Sequence, residues 1–145
     1  MAKISDILAR KGGGVMTVGS EATVLDAAQL MNDQKVGGLV VTERDRVAGI
    51  FTERDVMRRV VAEQRDPART HVHEVMTRDV VCGEPGMSLE EARSIFMNRR
   101  IRHLPIVSAT GEVEGVISLG DINAWQLDGQ EVTIKYLHEY LYGVM

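Results

Sequence analysis

Residues 49–55 read Gly-Ile-Phe-Thr-Glu-Arg-Asp, and residues 115–121 read Gly-Val-Ile-Ser-Leu-Gly-Asp. Each is a glycine, two apolar residues, a hydroxyl residue, two variable positions and an aspartate. Gly49 and Gly115 lie 66 positions apart, as do Asp55 and Asp121. The match extends outward. Leu25, Ala28 and Met31 recur as Leu89, Ala92 and Ile95 at an offset of 64, and Val36, Leu39 and Val41 recur as Ile101, Leu104 and Ile106 at 65. Matching apolar positions whose spacing drifts by single residues are the mark of a tandem structural repeat. A duplicated polar pair at the end of an apolar run points to two related sites rather than one active site.

The two repeats share an order of elements. Short strands are predicted near Val15–Val18 and Asp79–Cys82, followed by amphipathic helices over Thr23–Gln34 and Ser88–Arg99. Ser88 with Glu91 has the capping-box spacing. Leu39–Thr42 and Leu104–Ser108 read as strands, the polar runs 43–46 and 109–112 as turns, and Val47–Phe51 and Val113–Ile117 as returning strands. Helices then start at Asp55 and Asp121. Each unit is therefore β-α-β-β-α, and alone it would bury too little surface to be stable. The fold class that follows is α/β (α+β), with two pseudo-twofold-related repeats packed through their sheets. Residues 1–70 hold the first repeat with an N-terminal helical segment and linker, 71–128 the second, and 129–145 a helical tail. Ile4–Leu8 resembles the linker turn Val72–Met76.

Composition narrows the functions. A chain of 145 residues with 44% hydrophobic content can build one proper core. A net charge of −4 argues against a nucleic-acid surface. The single cysteine, Cys82, cannot form an internal disulfide and reads as a small core thiol in a reducing compartment. No apolar run is long enough to span a membrane, and the first residues lack a signal core, so a cytoplasmic location is expected. His71, His73 and His138 lack metal-ligand spacing, so no metal is expected. No P-loop and no nucleophile beside a general base is visible, so the chain is not read as an enzyme.

Taken together, Val15-Met-Thr-Val, the two seven-residue stretches, Val75-Met-Thr and Arg102-His-Leu-Pro-Ile-Val resemble the cystathionine-β-synthase (CBS) domain pair, or Bateman module, over residues 8–128. The resemblance implies regulation instead of catalysis, adenine nucleotides such as AMP, ATP or NAD(H) as ligands in clefts between the repeats, no catalytic cofactor, a homodimer, and a regulated partner protein that the sequence does not name. A structural dimerisation module with degenerate, ligand-free sites is the alternative.

The chemistry of such a site selects residues. An ionised carboxylate accepts hydrogen bonds from both ribose hydroxyls, a role that suits Asp55 and Asp121. Thr52 and Ser118 offer hydroxyls where a strand passes into a helix start, which attracts anions. Both pairs are equally what an N-cap with a first-turn acid looks like. The resemblance assigns adenine to backbone near Val18, Val36 and Gly38 in one site, and near Val81 and Pro105 in the other. Arg54, Arg102 and His103 are the candidate phosphate cations, because a guanidinium fork binds two oxygens. Arg58, Arg59, Arg99 and Arg100 read as solvated helix faces. The repeats differ: Gly37-Gly38 stands where the second has Arg102-His103, so the two sites are expected to grip phosphate differently.

Overall fold

The computed structural model describes residues 2–11 and 17–128. The predicted tail helix therefore lies outside the described residues, as do Val15 and Met16 of the first predicted strand. The protein is a mixed α+β chain of two repeats. Helix α1 (Ile4–Lys11) precedes the first repeat. That repeat is β1 (Thr17–Gly19), α2 (Val24–Gln34), β2 (Gly38–Glu43), β3 (Arg46–Thr52), a short α3 (Glu53–Asp55) and a π-helical segment, Val56–Val61. The linker carries α4 (Val72–Val75). The second repeat is α5 (Leu89–Arg99), β4 (His103–Val107), β5 (Val113–Ser118) and α6 (Leu119–Asp128).

The helices start as their sequences direct. Thr23 Oγ1 accepts from the Asp26 N–H (3.1 Å), and Ser88 Oγ accepts from the Glu91 N–H (3.1 Å), so both N-caps are made. The reciprocal half of the box expected at Glu91 does not form. Full boxes occur instead at Thr52 with Asp55 and at Ser118 with Asp121.

In the first sheet β1 runs parallel to β2, and β2 antiparallel to β3. Among the described residues the second sheet has only β4 and β5. The strand predicted over Asp79–Cys82 is reduced to a single parallel bridge, Gly83 to Ile106. Proline explains the loss. Gly83 exchanges hydrogen bonds with the Pro105 carbonyl (2.8 Å) and the Val107 N–H (2.9 Å). The next bond of a parallel ladder would run from residue 105 to the Val81 carbonyl, and Pro105 has no N–H to give.

Each core borrows a helix from across the linker. The first is built from Val24, Ala27, Met31, Leu39, Val41, Phe51 and Val60, and is closed by Val72, Val75 and Met76 of the linker. The second is built from Leu89, Ala92, Phe96, Leu104, Ile106, Ile117 and Ile122, and is closed by Ile4 and Ile7 of α1. The expected likeness of Ile4–Leu8 to Val72–Met76 is thus a structural equivalence: each precedes one repeat and packs on the other. Trp125 also packs against the second core, with the Arg10 guanidinium 5.2 Å over its ring. Arg10 pairs with Asp128 as well, so α1 is tied to α6.

The crossing segments explain the duplicated glycines. A Cβ on Gly49 would lie 2.6 Å from the Thr77 carbonyl, and one on Gly115 would lie 2.4 Å from Leu8 Cδ2. Equivalent residues also meet across the halves. Arg46 bridges Glu112, and the His103 ring lies 3.3 Å from the Cβ position of Gly38. The pseudo-twofold axis therefore passes lengthwise between the two hairpins. Among the described residues no helix is long and apolar enough to cross a membrane.

Candidate functional site

A cleft of about 760 Å3 opens along this axis, within the size range of small-molecule sites. The first repeat contributes Gly37, Ile50 and the helix start Thr52–Arg54. The linker contributes Thr77 and Asp79–Val81, and the second repeat contributes Arg100–His103 and the helix start Ser118–Gly120. Both hydroxyl-x-x-aspartate motifs thus open on one cleft.

Of the residues selected from sequence, Thr52, Arg54, Val81, Arg102, His103 and Ser118 line this cleft. Val18, Gly38, Asp55, Pro105 and Asp121 are not among its lining residues. Gly38 packs against Thr52 and His103, and Pro105 is buried in the second sheet. Val36 lines a separate cavity of about 580 Å3 beside Met57 and Val61 of the π segment.

Asp55 is buried, and its Oδ2 accepts from the Thr52 N–H (2.9 Å) and the Thr52 hydroxyl (3.2 Å). Oδ1 faces Arg59 Nε at 3.7 Å. Arg59 is no solvated bystander, since it also donates to the carbonyls of Val75 (3.2 Å) and Met76 (2.9 Å) at the end of α4. Asp121 Oδ2 accepts from the Ser118 N–H (2.8 Å) and from Lys11 Nζ (2.9 Å). Ser118 Oγ in turn accepts from the Asp121 N–H (3.0 Å). Both aspartates therefore serve as helix caps, and each is linked by a cation to the crossing helix on its own core.

Sequence reasoning missed Arg100 as a cleft residue. It closes α5 in the left-handed conformation (φ 53°), as Lys35 closes α2 (φ 56°). Glycine is the usual residue there. Arg100 joins Arg54 and Arg102 among the residues that line the cleft. Burial, reinforced by Arg102, lowers the His103 pKa from its ordinary value and so favours the neutral ring. Burial likewise pushes the Cys82 thiol up, which keeps it a poor nucleophile. Among the described residues no three His, Cys, Asp or Glu side chains gather to hold a metal.

The CBS domain family model matches residues 4–62 and 72–128. The CBS domain-containing protein YhcV of Bacillus subtilis is 36% identical over 90% of this chain and 89% of its own length. A signal-transduction protein with CBS domains from Burkholderia ambifaria, itself described as putative, superposes with a TM-score of 0.82 at 36% identity, covering 89% of this chain and 96% of that one. A CBS domain protein from Pyrobaculum aerophilum, solved in complex with AMP, superposes with a TM-score of 0.75 at 24% identity, covering 83% and 89% of the two chains.

Proposed function

This chain belongs to the CBS-domain family, and from that premise we propose that it is a regulatory protein that binds an adenine nucleotide in the cleft between its repeats. One observation carries the reading: two helix starts and three arginines, Arg54, Arg100 and Arg102, line a single cleft, where they outnumber its two acids, Glu53 and Asp79. Helix starts and arginine forks are what a phosphate chain requires. The Val81 carbonyl, to which Pro105 offers no N–H, supplies an acceptor for the adenine amino group. Asp55 and Asp121 receive ribose hydroxyls once their present partners give way. The AMP complex of the Pyrobaculum relative supports the choice of an adenine ligand. In this reading binding signals by changing the angle between the halves, to the extent that the two shapes differ in affinity. The protein works in the cytoplasm as a homodimer, with the exposed Met57 and Val61 available to a second copy, and it acts on a separate target protein.

A second reading is a structural module without ligand. It is favoured by the fact that both aspartates are already engaged as caps. A thermal-shift panel of AMP, ADP, ATP, NAD+, NADH and GMP, run on protein stripped of carried-over nucleotide, separates the two. Stabilisation by adenine ligands that is lost in Arg54→Ala and Arg102→Ala supports the sensor. A hundredfold excess over Kd stabilises by about 2.7 kcal/mol, which is easily seen. No shift with any of them supports the module.

A further inference from the structure

We infer that Lys11 is an internal competitor for Asp121, so that a ribose engages both oxygens of this carboxylate only by displacing the lysine. The inference rests on the nucleotide reading above. Lys11 Nζ donates to Asp121 Oδ2 (2.9 Å) and to the Val116 carbonyl (3.0 Å). The same Oδ2 already accepts from the Ser118 N–H. A ribose diol binds best when both oxygens of a carboxylate are open to it, and here one is filled. Ser118, Leu119 and Gly120 line the cleft and Asp121 is the next residue, so the lysine stands between this carboxylate and a ligand seated there.

The lysine is suited to exchange. Its side chain is 44% exposed and ends in a flexible stem, whereas α1 itself stays docked through fully buried Ile4 and nearly buried Ile7. The first repeat differs. Its aspartate is faced by Arg59, which is fixed by two carbonyls of the linker. Lys11 is near enough to His103, a cleft residue, for its charge to act on the imidazole. Once displaced, the ammonium remains within the field of the cleft and can meet a ligand phosphate. The competitor thus penalises ribose alone more than ribose with phosphate, and it biases the second repeat towards nucleotides over nucleosides.

Calorimetry with adenosine and with AMP, on wild type and on Lys11→Met, tests this, with the His103 ring resonances as a reporter local to the second repeat. A half-exposed ion pair is worth only a few-fold in an equilibrium. Lys11→Met is therefore expected to bind adenosine about threefold tighter and to gain less than that for AMP, while Lys11→Arg behaves as wild type. Adenosine affinity that is unchanged or weaker in Lys11→Met overturns the inference while leaving the nucleotide reading intact. Failure of every variant to bind either compound overturns the nucleotide reading, and this inference with it.

Discussion

At the residue scale, His103 makes the site sensitive to pH. Burial disfavours its charged form, whereas a bound phosphate favours it, so phosphate binding takes up a proton. Affinity for AMP is expected to rise as pH falls from 8 towards 6, with adenosine showing no such trend and His103→Gln abolishing it; titrations at several pH values check this. The same depressed pKa acts on folding with a definite sign. The stability this group contributes is present above about pH 6.5 and is lost as pH falls below it. Arg100 makes a separable prediction. Left-handed backbone costs a non-glycine residue about 1–2 kcal/mol, part of which glycine returns as unfolded-state entropy. Arg100→Gly should therefore raise stability by about 0.5–1 kcal/mol in denaturant titrations while weakening phosphate binding severalfold. Sequence alone could not assign Arg100 to the cleft, because an arginine at a helix end reads as solvated and nothing in its spacing shows the left-handed turn that ends α5 there.

At the element scale, the two duplicated glycines look alike in sequence and differ in consequence. A methyl group on Gly49 meets a backbone carbonyl, which cannot yield without moving the linker. One on Gly115 meets only the tip of the Leu8 side chain. Gly49→Ala is expected to cost about 2–3 kcal/mol and Gly115→Ala about 1 kcal/mol or less, with Leu8→Ala relieving the second and leaving the first unchanged. Thermal unfolding of the single and double variants measures this directly. The order of helices and strands was legible because apolar spacing changes from helical to alternating at each boundary. The second repeat's first strand was not, since Val80, Val81 and Cys82 have strand character and the loss comes from a proline on the neighbouring strand. The π segment was also illegible, because Val56–Val61 has the same residues an α-helix would use. Half of the candidate residues line the cleft, namely Thr52, Arg54, Val81, Arg102, His103 and Ser118, while Asp55, Asp121 and Pro105 do not, because capping boxes and the core take up their side chains.

At the scale of the whole molecule, the crossing helices bind the halves into one cooperative body. Truncating Ile4 to Ala removes a fully buried side chain from the second core, although its position in the chain precedes the first. A loss of about 2–5 kcal/mol is expected, seen as a single shifted transition rather than melting of the N-terminal half alone. A fragment ending before Val72 lacks the residues that close its own core and should show no cooperative unfolding at all. The reciprocal docking of α1 and α4 is also the arrangement that two copies of a half-length chain would adopt if each lent its leading helix to the other. Residues 63–71 join the two halves in one chain, so their pairing is an event within one molecule rather than an encounter between two. The assembled state is therefore independent of dilution, and the two halves need not be alike: one carries Gly37-Gly38 where the other carries Arg102-His103.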